Sequence, residues 1–199
     1  MTARPPTDAA LIQIVDATMA QGIHMSGARL SCRPGCTPCC HGPFAITELD
    51  AQRLRSGLAD LAALAPSRAA DVQARVLHAL NQMEEDHDDP CPVLDPINGT
   101  CDLYGSRPLI CRTFGPPVRF PDGSVAVCEL CFVGAADAEI AACEVCVDPD
   151  GLEAELLARL GSPPETTVAT ALTPKPPAPS ESRCHARPSA GSASPDIGR

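Results

Sequence analysis

The chain has 199 residues with 12 cysteines, 22 prolines, one tyrosine and a formal net charge of −10 at pH 7. This acidity argues against nucleic-acid binding, because an acidic body repels phosphate backbones. Residues 1–30 lack the basic and apolar regions of a signal peptide, and no apolar run approaches the roughly 18 residues of a membrane span. We therefore expect a cytoplasmic protein with no membrane partner. We also expect its thiols to be reduced rather than joined in the disulfide framework of an exported protein.

The first predicted element is a helix over residues 8–23, which Asp8 can cap. Its apolar residues recur at helical spacing and form a broad face, which we expect to pack under the segment that follows. The face comprises Leu11, Ile12, Ile14, Val15, Met19 and Ile23.

A loop with four cysteines in nine residues follows this helix. The cysteines are Cys32, Cys36, Cys39 and Cys40. Two prolines and a glycine lie between them and favour turns over a regular helix. A short, rigid loop that presents several thiols is typical of proteins that bind a soft metal ion or an iron–sulfur cluster. The alternative, inert buried thiols, fits poorly because such a loop is a weak hydrophobic element.

Two further helices are predicted over residues 47–62 and 66–84, before the next cysteines. Thr47 can cap the first in a capping box with Asp50, and a proline opens the second. The two helices could form an antiparallel pair that returns the chain near the cysteine loop. The acidic run 84–89 is interpreted as a solvated helix end rather than as a site for a hard cation.

Residues 90–146 form the second cysteine-bearing half. Two short hairpins are predicted there: residues 91–95 pair with 99–101, and residues 118–120 pair with 125–127 across a Pro-Asp-Gly-Ser turn. The cysteines of this half are Cys91, Cys101, Cys111, Cys128, Cys131, Cys143 and Cys146, the last four as two CxxC pairs.

A last helix is predicted over residues 149–160, and the chain beyond it is rich in Pro, Ser, Ala and Thr without an apolar period. We therefore expect residues 1–160 to form one domain, and residues 161–199 to form a disordered tail whose removal leaves metal content and melting temperature nearly unchanged. Cys184 and His185 lie in this tail and are excluded as ligands.

The cysteines outside the tail suffice for two four-ligand sites. Cys39 and Cys40 are adjacent and cannot easily aim at one point, so either they serve different metals or one lies outside the ligand set. The spacing Cys32-x3-Cys36-x2-Cys39 also matches that of radical S-adenosylmethionine enzymes. That assignment is rejected, because a proline precedes Cys39 where those enzymes usually have an aromatic residue, and because no long alternation of strands and helices follows.

Three motifs occur in a fixed order along the chain. They are Cys32, Cys36, Cys39 and Cys40, then Cys91-Pro92-Val93-Leu94, then Cys101-x2-Tyr104-x2-Arg107-Pro108-x2-Cys111-Arg112. This combination resembles the YkgJ-type cysteine-cluster family, a zinc- or iron-chelating CxxCxxCC domain, over roughly residues 30–115. The resemblance implies metal chelation by these seven cysteines, with Cys128 as an eighth ligand, and leaves the roles of Cys131, Cys143 and Cys146 open.

The cysteine loop cannot easily supply all four tetrahedral ligands of one ion by itself, so we predict that the two cysteine-bearing halves share a metal centre. Cys111→Ser should then loosen the loop around Cys36. Arg107 and Arg112 can donate hydrogen bonds either to sulfur or to helix-end carbonyls, and both interpretations are kept. Tyr104 is interpreted as a packed core residue rather than as a catalytic acid.

The predicted fold is mainly α with short β-hairpins: a small, irregular, metal-stapled α+β domain with a disordered C-terminal tail. The predicted function is chelation of zinc or an iron–sulfur cluster, which the absence of nucleotide-binding and Ser/His/Asp motifs favours. One alternative is an iron–sulfur oxidoreductase or electron-transfer protein, which the excess of cysteines favours. Another is a lysine-N-methylase-like enzyme, because the domain that this chain resembles also occurs in such proteins. No substrate, catalytic residue or protein partner is assigned.

Overall fold

The computed structural model of the protein describes residues 6–42, 44–82, 89–120 and 123–174. The helices in these ranges are α1 Asp8–Ser26, α2 Glu48–Leu64, α3 Pro66–Gln82, α4 Leu109–Arg112, α5 Asp137–Ala141, α6 Leu152–Arg159 and α7 Val168–Ala171. The strands, each two residues long, are β1 Ala45–Ile46, β2 Leu94–Asp95, β3 Thr100–Cys101, β4 Val118–Arg119, β5 Val125–Ala126, β6 Val145–Cys146 and β7 Thr166–Thr167. The predicted class, mainly α with short β-hairpins, is confirmed. None of these helices combines the length and the apolar character that crossing a lipid bilayer demands.

Helix α1 is capped by Thr7 rather than by Asp8, because the Thr7 hydroxyl accepts a hydrogen bond from the N–H of Ala10 (3.2 Å). Its buried face is narrower than predicted, since Ile14 and Ile23 are 44% and 52% exposed. The buried residues are Leu11, Val15, Met19, Gly22 and Ser26. This face packs against α4, α6 and β6.

The predicted capping box at the start of α2 is confirmed. The Thr47 hydroxyl accepts the N–H of Asp50 (3.4 Å), and the Asp50 carboxylate accepts the N–H of Thr47 (3.2 Å). Helix α3 begins at Pro66, as predicted, and packs against α2. The largest core surrounds these two helices and comprises Ile46, Ala51, Leu54, Leu58, Ala69, Val72, Val76, Val93, Leu103, Val168, Ala171 and Leu172.

Both predicted hairpins are present. Strands β2 and β3 pair antiparallel, with Leu94 opposite Cys101, and β4 and β5 pair antiparallel, with Val118 opposite Ala126. Strand β6 extends the second hairpin by pairing parallel to β4. A second core lies beside this sheet and comprises Leu11, Val15, Met19, Leu49, Val118, Val145, Val147 and Leu156. A third core is much smaller and comprises Cys131, Phe132 and Cys143.

The prediction that the disordered tail begins at residue 161 is wrong for residues 161–174. Strand β7 pairs antiparallel with β1, and α7 packs against both α2 and α3. Val168 and Leu172 are only 6% and 2% exposed. A short apolar segment therefore completes the largest core, although the composition around it is rich in Pro, Ser and Thr. Residues 175–199, with Cys184 and His185, lie outside the described residues, as does most of the acidic run.

Candidate metal centre

The cysteine loop consists of two successive turns, as its prolines and glycine predict. The N–H of Cys36 donates to the carbonyl of Arg33 (2.9 Å), and Gly35 supports this turn with a φ of +85°. The N–H of Cys40 donates to the carbonyl of Thr37 (2.7 Å) within a 3-10 turn. The thiols of the two turns face different parts of the protein.

The second turn faces the segment that follows α3. The N–H of Cys91 donates to the carbonyl of Cys40 (2.7 Å), and His41 forms an antiparallel bridge with Pro90. The predicted return of the chain to the cysteine loop is therefore confirmed. Five thiols lie near one another here, and we call them cluster A: Cys39, Cys40, Cys91, Cys101 and Cys111.

Cys40 interacts with each of the other four thiols of cluster A. The thiol of Cys39 donates a hydrogen bond to it, which lowers the pKa of Cys40 and raises the pKa of Cys39. Burial raises the pKa of Cys91 to about 11, and burial together with neighbouring thiols raises that of Cys111 to about 12. Burial also raises the pKa of Cys101. A nearby cation is what would bring such thiols to the thiolate form that binds metals.

The first turn faces the Cys128-x-x-Cys131 pair, and these four thiols are called cluster B: Cys32, Cys36, Cys128 and Cys131. Cys131 lies at the centre of cluster B: its sulfur accepts a hydrogen bond from the N–H of Ser31 (3.4 Å), and it interacts with both Cys32 and Cys128. Burial, and then Cys131, raises the pKa of Cys32 to about 12. Burial likewise raises the pKa of Cys128.

Gly115 allows the backbone to approach cluster B closely. Its φ is +117°, a conformation that side chains disfavour, and a Cβ atom at this position would lie 3.1 Å from the sulfur of Cys32. A larger residue would therefore meet both backbone strain and a contact with this thiol.

The eight predicted ligands are thus divided between the clusters, five in cluster A and three in cluster B. Each cluster combines thiols of both cysteine-bearing halves, and Cys36 lies near Cys32 and Cys128. That the two halves share a metal centre stays a prediction. The role of Cys131, which the sequence left open, gains an observation: its sulfur lies with Cys32 and Cys128, as the CxxC spacing to Cys128 indicates.

The two cysteines of the second CxxC pair, Cys143 and Cys146, have different surroundings. The thiol of Cys143 is buried in the third core and donates to the carbonyl of Met25 (3.4 Å). Cys146 is exposed on β6.

The two arginines of the third motif have different surroundings. Arg112 is 7% exposed and donates to the carboxylate of Asp16 (2.8 Å) and to the carbonyls of Gly105 (2.7 Å) and Arg107 (3.2 Å). Arg112 therefore fixes the backbone before α4. Of the two interpretations above, hydrogen bonds to carbonyls rather than to sulfur apply to this arginine. Tyr104 is 62% exposed, so its prediction as a core residue is wrong.

Arg107 lies beside cluster A. Its guanidinium stacks on the ring of Tyr104 at 3.8 Å, and its Nε is buried without a hydrogen-bond partner. The hydrogen bond to Cys40 raises the pKa of Cys39 and burial raises that of Cys101, whereas the charge of Arg107 opposes both shifts. A buried N–H without an acceptor, next to two thiols, matches the hydrogen bonds that thiolates accept around a metal.

Among the described residues, no three His, Cys, Asp or Glu side chains are arranged as the ready-made ligands of one ion. Side-chain rotation would be needed to bring four sulfurs around a common centre, and cysteine has three staggered rotamers to draw on. The donor chemistry fits zinc or iron, because each cluster offers at least four thiols. Cluster A adds the unpartnered N–H of Arg107.

The sequence matches the CxxCxxCC family model, described as "Putative zinc- or iron-chelating domain", over residues 31–131. The match spans just over half of the chain and includes every cysteine of clusters A and B, but neither Cys143 nor Cys146. No match was found among curated proteins or among solved structures. The chain belongs to the CxxCxxCC family of zinc- or iron-chelating domains.

Proposed function

We propose that the protein binds zinc or iron through cluster A, and that this is its primary metal centre. The proposed ligands are Cys40, Cys91, Cys101 and Cys111. The observation that carries the proposal is that thiols from the loop, the β2–β3 hairpin region and α4 gather around Cys40. Four thiolates are the ligand set that zinc and iron–sulfur centres take. Cys39 contributes a hydrogen bond to Cys40.

Polar contacts around cluster A support the proposal, because they hold the ligand-bearing segments in place. The carboxylate of Asp50 accepts the N–H of Leu109 (2.7 Å), which positions the start of the helix that carries Cys111. The carboxylate of Asp102 is 2% exposed and is bound by Arg68 (2.6 Å) and Arg75 (2.5 Å) of α3. Asp102 follows Cys101 directly, so these ion pairs fix the end of β3.

A bound ion would supply metal–sulfur bonds that join the loop, the hairpin and α4. Arg107 would donate its unpartnered N–H to a neighbouring thiolate and would lower the cost of burying negative charge. The formal charge of −10 supports a role without a nucleic-acid partner. We place the protein in the cytoplasm, where thiols stay reduced and available to metal.

The test is metal analysis and an optical spectrum of the full chain, purified without oxygen. Wild-type protein should carry zinc or iron, and sulfur-to-iron absorption would identify an iron–sulfur centre. The variant C40S/C101S should lose the metal of cluster A, whereas C146S, which alters an exposed cysteine that belongs to neither cluster, should retain it. Folded wild-type protein without metal, or a C40S/C101S variant with full metal content, would overturn the proposal.

A further inference from the structure

We propose that cluster B is a second metal centre, separate from cluster A, which holds residues 128–144 against the cysteine loop. Its ligands are Cys32, Cys36, Cys128 and Cys131, and its cation is of the same thiophilic class, zinc or ferrous iron. This inference rests on the proposed function for the chemistry of the cation. It adds a ligand, Cys131, and a separate site.

Two chain segments lie side by side at cluster B. The N–H of Phe132 donates to the carbonyl of Arg29 (3.0 Å), and the hydroxyl of Ser31 donates to the carbonyl of Leu130 (2.5 Å). These bonds align the residues just before Cys32 with those around Cys131. The N–H of Cys131 also donates to the carbonyl of Cys128 (2.8 Å), so the CxxC pair forms a tight turn. The segment that carries Cys32 and the turn that carries Cys128 and Cys131 therefore lie side by side.

Clusters A and B have separate interactions. Among the cysteines, the strongest interactions of Cys32 and Cys128 are with other thiols of cluster B. Those of Cys40 and Cys111 are with other thiols of cluster A. The nine thiols thus divide as four and five, and each group contains enough sulfurs for a four-ligand site without borrowing from the other.

Besides the hydrogen bonds above, the segment that cluster B would hold is attached, in the part of the chain that the structure describes, by a small core, by the bond from Cys143 to Met25 and by ion pairs that include Arg119–Glu144. Its buried core is formed by Cys131, Phe132 and Cys143. Helix α5 is five residues long, too short to be stable alone, and Val133 is 83% exposed. The ion pair between Arg29 and Glu139 lies at the surface, where such pairs contribute little. Metal–sulfur bonds would attach residues 128–144 to the cysteine loop.

The experiment uses the full chain, reduced and reconstituted with Zn²⁺ as the only metal. The variants are C32S/C128S for cluster B, C40S/C101S for cluster A, and C146S as the control. The cluster B variant alters the exposed Cys32 and the half-buried Cys128, which packs at the edge of the third core, and it spares the buried Cys131 and Cys143. Bound zinc per chain and hydrogen exchange by segment are measured on each protein.

We expect C32S/C128S to bind about half as much zinc as the wild type, and C40S/C101S to bind the other half. Hydrogen exchange should become faster over residues 128–144 in the first variant and over 89–111 in the second. Wild-type zinc content in C32S/C128S, or loss of all zinc in both variants as expected of one shared centre, would overturn the inference. Wild-type protein that folds and binds no zinc would instead overturn the proposed function.

Discussion

Leu172 offers a direct measurement of how far the folded domain extends beyond residue 161. Its side chain is 2% exposed and packs in the core formed by α2, α3 and α7. Leu172→Ala removes about three methylene equivalents at about 0.8 kcal/mol each, which is about 2.4 kcal/mol before any cavity remains. A residual cavity adds to this cost, so the free energy of unfolding should fall by about 2–5 kcal/mol.

The assay is urea unfolding of the full chain, with the same metal loading in every variant. Leu64→Ala is the matched control, because Leu64 is 85% exposed at the end of α2, and it should change the free energy of unfolding by about 0.5 kcal/mol or less. If Leu172→Ala were as mild as Leu64→Ala, then α7 would not be part of the core. A tail that began at residue 161 would then be the better description.

Three further predictions concern the two clusters and their arginines. Cys111→Ser should lower metal content and speed hydrogen exchange over residues 38–42 but not over residues 31–36. Faster exchange over both ranges would contradict the division of the thiols into clusters A and B. Arg112→Ala should lower the free energy of unfolding by about 1–3 kcal/mol in urea, because the acceptors it binds lose their donor. Arg107→Gln should lose zinc to a chelator faster than the wild type; equal rates would remove Arg107 from the site.

Local signals in the sequence predicted much of the fold because each acts within a few residues. The capping box of Thr47 and Asp50 and the proline at position 66 locate the starts of α2 and α3. Turn sequences located both hairpins. By contrast, composition averaged over the last 39 residues hid the short apolar segment around Leu172, because its partners lie in α2 and α3.

The positions of the candidate ligands were predictable only in part. Cysteine density indicated the metal-binding region, and the family match covers it. Which thiols meet was not predictable, because it depends on contacts between segments far apart in sequence. Cys131 meets Cys32 only because Ser31 and Phe132 align their segments. The exposure of Tyr104 is likewise decided by tertiary structure, since Arg107 covers one face of its ring and leaves the rest in solvent.

The cysteine loop can serve two clusters because it is built from two turns rather than one. Each turn is closed by its own backbone hydrogen bond, from Cys36 to Arg33 and from Cys40 to Thr37. Segment pairing then decides what each turn faces: residues 29–31 align with 130–132, and the carbonyl of Cys40 binds the N–H of Cys91. Spacing along the chain therefore reports which cysteines are neighbours in sequence, whereas segment pairing determines which of them can bind one ion. A substitution confined to one turn should consequently disturb one cluster and leave the other in place.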